Sequence, residues 1–293
     1  MRDDLLKILL TNDDGIHAPG LLAAAKALSK IGELYIVAPN QEQSGVGSSL
    51  TLHDSILATP IDVQELIGID NNLKYPVTAI SVHGTPADSC ILALETFVES
   101  IDLVISGINR GSNIGSDILV SGTVGAALQG FLRGIPTVAI SVASVQNPQF
   151  EVAARLLQII SQIICATNVP ESIFLNVNVP SMGLEAINGI QITTLGGRSY
   201  AESVKEEKLG DAKKYRISRN RPITGNNPEG TDIWAIKNNK ISITPLHVNL
   251  TKYDHLSLLE NLFSNAFQDL DNVSKSFLSE KISSSTAAGI LQS

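Results

Sequence analysis

The sequence predicts an α/β fold, a mainly parallel sheet covered by helices on both faces. Three observations carry that prediction. Short apolar runs alternate with stretches of helical periodicity through the first 180 residues. The runs read as continuous apolar blocks, as strands buried on both faces do. Each run ends in a Gly-, Ser-, Asn- or Asp-rich turn, which right-handed crossovers would gather at one sheet edge.

The elements follow in order. Leu5–Leu10 reads as a strand that stops at Asn12-Asp13-Asp14-Gly15. Pro19 suits the first turn of a helix whose apolar stripe is Leu21, Leu22, Ala25 and Leu28. Glu33–Ala38 is the next strand, closed by Pro39-Asn40, and Gln41–Ser49 is a polar loop. Ile56–Val63 and Val77–Val82 read as strands around a turn-like Gly68–Lys74. Gly84–Asp88 opens a helix reaching about Val98. Asp102–Ile105 is a strand ending at Ser106-Gly107, and Ile108–Gly122 a glycine-rich loop. Thr123–Leu132 and Gln149–Ala166 are helices flanking the strand Pro136–Val142, and Ile173–Val179 is another strand.

The pattern changes after Pro180. Ile190–Leu195 and Ile241–Pro245 look like strands, and the polar Tyr200–Thr231 reads as a projecting hairpin. Tyr253–Phe267 has amphipathic helical spacing, and Asp271–Ser293 is Ser-rich and expected to be loosely ordered. The division expected is a catalytic α/β domain over 1–185, a smaller β-rich oligomerisation region over 186–250, and a helix with a flexible tail over 251–293.

Composition narrows the function. The 293 residues are 43% apolar, 17% charged and 4% aromatic, so the core rests on aliphatic side chains and the signature of disorder is absent. Lys and Arg number 21 against 29 Asp and Glu, a net charge of −8. That balance, with no basic run longer than Lys213-Lys214, disfavours a nucleic-acid polymer as partner. No apolar stretch is long enough to span a membrane. Cys90 and Cys165 sit in apolar helical stretches and read as small buried hydrophobes. A reducing, cytoplasmic setting is the expectation.

Three constellations fall on the same predicted sheet edge. Asp13 and Asp14 are adjacent carboxylates that repel unless a cation joins them, and hard ions such as Mg²⁺ or Mn²⁺ take oxygen ligands. Ordinary turn chemistry also explains them. Ser44 and Gly45 open a Gly/Ser loop whose hydroxyls and amides can meet a metal or a phosphate. Ser106–Gly115 is dense in Gly, Ser and Asn, and Ser121-Gly122-Thr123 opens a helix whose free amides form an anion site. Ser121 is equally a plain helix cap. His17 lies close to the Asp pair and could line the site. The sequence contains no G-x-x-x-x-G-K-[ST], G-x-S-x-G, H-E-x-x-H or C-x-x-C, which disfavours a P-loop, a nucleophile elbow and zinc. Together these signals suit metal-assisted phosphoryl hydrolysis.

Ile8–Pro19, the Ser44 loop, Ser106–Gly115 and Ser121–Gly125 closely resemble the SurE family of survival-protein 5′-nucleotidases. The resemblance continues through Gly84–Asp88, Asn176–Pro180, Gly197–Tyr200, Gly230–Asp232 and Ser242–Leu246, covering about 5–250. It implies a Rossmann-like three-layer domain with a smaller C-terminal part, assembling as a homodimer or homotetramer with exchanged segments. It implies a phosphatase acting on nucleoside 5′-monophosphates, with 3′-nucleotides and polyphosphate as further substrates. One Mg²⁺ or Mn²⁺ per subunit would be held by Asp13, Asp14, Ser44 and Asn109. Ser121, Gly122 and Thr123, with Gly45, would contact the phosphate, and Asn12 and Ser106 would border the reacting centre. Asp13 and Asp14 are better candidates than His17 for moving protons. The sequence departs from the family at Asn238-Asn239, where a glycine turn is usual, and in its longer tail; Asn tolerates a left-handed turn. The alternatives are a non-catalytic nucleotide- or phosphate-binding module on the same scaffold, and a serine hydrolase using Ser44 or Ser121.

Overall fold

The structure is a computed structural model, which describes residues 5–68, 73–167, 173–197, 200–209, 212–222 and 227–273. The chain divides into two units, 1–246 and 247–293. The first opens with β1 (Lys7–Thr11), α1 (Pro19–Leu28) and β2 (Glu33–Pro39). Next come β3 (Ala58–Pro60), α2 (Val63–Ile67), β4 (Val77–Val82), α3 (Pro86–Leu92) and β5 (Leu103–Arg110). Then follow α4 (Gly122–Phe131), β6 (Thr137–Val142), α5 (Glu151–Ala166), β7 (Phe174–Val179) and β8 (Ile190–Ile192). The hairpin β9 (Tyr200–Leu209) and β10 (Ala212–Pro222), α6 (Asp232–Lys237) and β11 (Ile241–Pro245) complete it.

The main sheet has nine strands in the order β3-β4-β2-β1-β5-β6-β7-β11-β8. From β4 through β7 every pairing is parallel. Strand order reverses at β1, whose neighbours are β2 and β5. The carboxyl ends of β1 and β5 therefore flank a topological switch point, where open α/β sheets bind ligands.

Alternation along β1 shows how the layers form. Ile8 and Leu10 join a core with Leu21 and Leu28 of α1 and Leu157 and Ile160 of α5. Leu9 points the other way, into a core with Val37, Val104 and Cys90 of α3. On that second face Val124 and Ala127 of α4 pack with Ala139 and Phe174. Several helices begin where local chemistry dictates. Pro19 starts α1, and a reciprocal Thr85–Asp88 capping box starts α3. Ser121 caps α4 by accepting from the Val124 amide at 3.1 Å.

Several boundaries differ from the sequence reading. The strand expected over Ile56–Val63 shrinks to β3, because Asp62 caps a short helix by accepting from the Gln64 and Glu65 amides. Strand β5 runs on to Arg110, through residues read as the start of a loop. After Pro180, β11 pairs antiparallel with β7 and β8 pairs parallel with β11, extending the main sheet. The hairpin forms its own two-stranded sheet, as expected of a projection. Asn239 does adopt a left-handed φ of 55° in the turn before β11. Cys90 is buried, but Cys165 is exposed, because α5 places it off the stripe facing the sheet.

In the second unit the amphipathic reading resolves into α7 (Leu256–Leu262) and, after a turn at 263–265, helix again at 266–273. Most of the Ser-rich tail, and Arg198 and Ser199 of the Gly197–Tyr200 motif, lie outside the described residues. Among the described residues no helix is long and apolar enough to cross a membrane.

Candidate active site

The turn after β1 is locked by its own asparagine. Asn12 Nδ2 donates to the Gly15 carbonyl at 2.9 Å, and the Gly15 amide donates back to Asn12 Oδ1 at 3.2 Å. Asn12 thus shapes the turn and has both ends of its amide committed. The loop after β2 is laced to this turn, with the Gln43 amide donating to the Asp13 carbonyl and the Ile16 amide to the Pro39 carbonyl, both at 2.7 Å.

Asp13 is buried, at 5% exposure. Its Oδ1 accepts from the Thr123 hydroxyl at 2.6 Å. Among the described residues no Lys, Arg or His forms an ion pair with it. Burial therefore pushes its carboxyl up to about 6; the Asp14 charge adds to the rise and the Thr123 hydroxyl opposes it. Asp14 is half-buried and is also raised, chiefly by burial. The Arg110 amide donates to its Oδ2 at 3.0 Å and, with the Arg110 charge, opposes the rise. Two adjacent carboxylates are both pushed toward neutrality by removal from water; Asp13 has no ion-pair partner among the described residues, and the Arg110 charge that acts on Asp14 is shared with Glu42.

The end of β5 supplies the next residues. Its pairing with β6 shifts register between Ser106 and Asn109, with Gly107 at φ +133° and a cis peptide between Gly107 and Ile108. A Cβ on Gly107 would meet the Ile140 carbonyl oxygen at 2.3 Å, so only glycine fits. Asn109 Nδ2 donates to the Gly111 carbonyl at 2.6 Å, which leaves its amide oxygen as an acceptor. Ser106 is fully buried, and its Oγ has no hydrogen-bond partner.

The N-terminus of α4 faces Asp13. A Cβ on Gly122 would lie 2.7 Å from the Asp13 Cβ, so the glycine lets backbone and carboxylate approach. Gly47 donates to the Val120 carbonyl at 3.1 Å, which fastens the β2 loop beside this helix start. Ser44 is exposed, and its hydroxyl donates to Glu42 at 2.7 Å. Glu42 in turn pairs with Arg110 at 3.2 Å. Asp14, Arg110, Glu42 and Ser44 are thus joined in one chain of contacts. Gly45 sits in open space at φ +77°, and His17 is exposed.

A buried amide network behind the site is absent from the sequence reading. The Asn113 amide donates to Asn178 Oδ1 at 2.9 Å. Its carbonyl accepts from Asn176 at 2.8 Å and Asn178 at 3.0 Å. The Asn113 side chain donates to Ser141 at 2.9 Å and to Thr123 Oγ1 at 3.3 Å. Thr123 then carries the chain on to Asp13. The legible signal was Asn at alternate positions of a strand otherwise apolar, which puts two amides on one face.

The family profile described as Survival protein SurE matches residues 8–202. The chain belongs to the SurE family. It is 41% identical over 258 residues to 5′-nucleotidase SurE of Geotalea uraniireducens, spanning 87% of this chain and 98% of that one. It is 42% identical over 267 residues to 5′-nucleotidase SurE of Legionella pneumophila, spanning 87% and 98%. The crystal structure of the SurE protein from Aquifex aeolicus superposes with a TM-score of 0.73 at 36% identity, over 87% of this chain and 99% of that one. The profile match spans the chain from Ile8 through β8, and with it the switch point and the residues gathered there.

Proposed function

We propose that this SurE-family chain is a divalent-metal-dependent 5′-nucleotidase that releases phosphate from nucleoside 5′-monophosphates. The observation that carries the reading is the buried, uncompensated Asp13 beside Asp14, set against the start of α4 at the switch point. The names of the relatives support the nucleotidase activity.

The donor chemistry fits Mg²⁺ or Mn²⁺. Among the described residues no three His, Cys, Asp or Glu gather where they could hold a metal. A metal here would rest on the Asp13 and Asp14 carboxylates, completed by the Ser44 hydroxyl and the Asn109 amide oxygen, the set that the resemblance to the family implies. All four are hard oxygen donors. Ser44 can donate its proton to Glu42 and still offer lone pairs to a cation. When bound, such an ion polarises a phosphate oxygen and lowers the pKa of a bound water.

The chain's own groups do the rest. Amides at the start of α4, a ten-residue helix, receive phosphate oxygens and the charge that develops on them. Thr123 holds Asp13 in place through its hydroxyl, and Asn12 and Ser106 shape the floor around it. Gly45 belongs to the open rim. Activity on 3′-nucleotides or polyphosphate, self-association as a homodimer or homotetramer, and a cytoplasmic setting belong to the same proposal. The separate β9–β10 sheet, with exposed Val204, Tyr215 and Ile217, supports assembly through exchanged segments.

The test is a phosphate-release panel over AMP, GMP and pyrimidine nucleotides with Mg²⁺, Mn²⁺ or Co²⁺, each with and without EDTA. Metal-dependent release is expected; no release with any of the three ions would overturn the proposal.

A further inference from the structure

One buried carboxylate lies outside the candidate active site. Asp232 is fully buried at the start of α6. Among the described residues no Lys, Arg or His forms an ion pair with it. Burying it is costly, and its neighbours show what the cost secures. Its Oδ2 accepts from the Gly115 amide at 2.7 Å. Its Oδ1 accepts from the Gly196 and Ile233 amides, both at 2.8 Å. Gly196 precedes β9 and Asp232 follows β10, so both roots of the projecting hairpin meet at this carboxylate. The Asp232 amide donates to the Thr194 carbonyl, and the Thr194 amide to the Gly230 carbonyl, both at 2.9 Å, which ties the roots to each other.

Gly115 belongs to a different part of the molecule, the loop from β5 to α4. That loop is pressed against the hairpin root. The Ser116 amide donates to the Gly197 carbonyl at 3.2 Å, and a Cβ on Gly115, at φ +55°, would overlap the Gly197 carbonyl oxygen. Two residues earlier on the same loop stands Asn113. Its Nδ2 donates to Thr123 Oγ1 at 3.3 Å, and the Thr123 hydroxyl donates to Asp13 Oδ1 at 2.6 Å. A hydroxyl has one proton, and a donor at its lone pair keeps that proton aimed at the carboxylate. The bond from Asn113 is already long, so a small displacement of the loop breaks it.

We propose that Asp232 is a positioning residue for the reaction, holding the β5–α4 loop so that Asn113 and Thr123 keep Asp13 in place. The inference rests on the nucleotidase reading and deepens it, because it adds a residue of the hairpin root to the machinery of that site. The donor count explains why a carboxylate is needed. Asp accepts on both oxygens, whereas Asn would turn its NH₂ group toward either the Gly115 amide or the Gly196 and Ile233 amides.

The experiment compares the unaltered chain with Asp232→Asn, Asn178→Ala, the two combined, and Thr231→Val, at a temperature where circular dichroism shows each folded. Thr231→Val removes the α6 cap, which accepts from the Trp234 amide at 3.3 Å, and leaves the Gly115 contact alone. With Mn²⁺, kcat for AMP is expected to fall about tenfold in Asp232→Asn while KM changes less than about twofold. Both Asp232 and Asn178 act through Asn113, so the combined variant should be no more than about twofold slower than Asp232→Asn. In metal-stripped protein, amide hydrogen exchange over residues 111–123 should quicken about tenfold in Asp232→Asn and stay unchanged in Thr231→Val. Asp232→Glu, which keeps both acceptor oxygens, takes the place of Asp232→Asn under the same criteria if the latter does not fold. Unchanged kcat or unchanged exchange in the folded Asp232 variant would overturn the positioning role. So would effects on kcat that multiply in the combined variant, or an equal loss of kcat in Thr231→Val. Absence of turnover by the unaltered chain would overturn the nucleotidase reading itself, and this inference with it.

Discussion

Replacing Asp13 by Asn separates the charge of this residue from its shape. Asp13 is buried, and its carboxyl is pushed up to about 6 from an ordinary 3.8. Between those two values the folded chain keeps a proton that the unfolded chain has released. Without metal, the fold therefore loses stability as pH rises from 3.8 to about 6, and the penalty is complete above that window. About two pH units at about 1.36 kcal/mol each amount to about 3 kcal/mol. Asn keeps an oxygen for the Thr123 hydroxyl, and its new Nδ2 carries a cost that does not vary with pH. The stability difference between Asp13→Asn and the unaltered chain should therefore move toward the variant by about 2–3 kcal/mol between pH 4 and pH 7.5. Urea denaturation in EDTA at the two pH values measures it. A difference that stays constant with pH, or moves toward the unaltered chain, would refute the argument that Asp13 is a charge stored without a partner. The same variant should release no phosphate from AMP at either pH.

Three further substitutions probe the surroundings. Gly122→Ala should cut kcat for AMP by at least about tenfold and cost about 1–3 kcal/mol, because its methyl group would meet Asp13 at 2.7 Å; turnover and thermal denaturation report both. Asn178→Ala leaves the Asn113 amide without its acceptor and should cost about 1–3 kcal/mol, with a loss of kcat exceeding any rise in KM as Thr123 loses its support. Asp232→Ala should lower the melting temperature through about 2–4 kcal/mol, since the buried carboxylate accepts from the Gly115 amide at 2.7 Å and the Gly196 amide at 2.8 Å. Calorimetry reads that cost.

Much of the fold was legible because apolar blocks and turn residues obey local rules. Pro19, Thr85 and Ser121 announce their helices through capping chemistry that needs no tertiary partner. The candidate site was legible to the extent that its residues sit at strand ends: Asp13 and Asp14 after β1, Ser44 after β2, and Ser121 to Thr123 opening α4. What escaped depends on contacts across long stretches of chain. Strand β5 continues past Gly107 because β6 offers a shifted pairing, which turn-rich Gly and Asn conceal. The Asn113 network joins residues 63 and 65 positions apart, so periodicity can flag Asn176 and Asn178 but cannot name their partner. Glu42 escaped as a lone acid in a polar loop; its role in linking Ser44 to Arg110 exists only once β2 and β5 lie on either side of β1.

The central claim is that a divalent cation held by Asp13 and Asp14 makes this chain a nucleotidase. The direct measurement is a titration of metal-stripped protein with Mn²⁺, following ion binding by calorimetry and AMP hydrolysis on the same sample. Turnover should rise in step with binding, level off at one ion per chain, and be absent with the binding in Asp14→Asn. Full turnover in the metal-stripped sample, or in Asp14→Asn, would contradict the account.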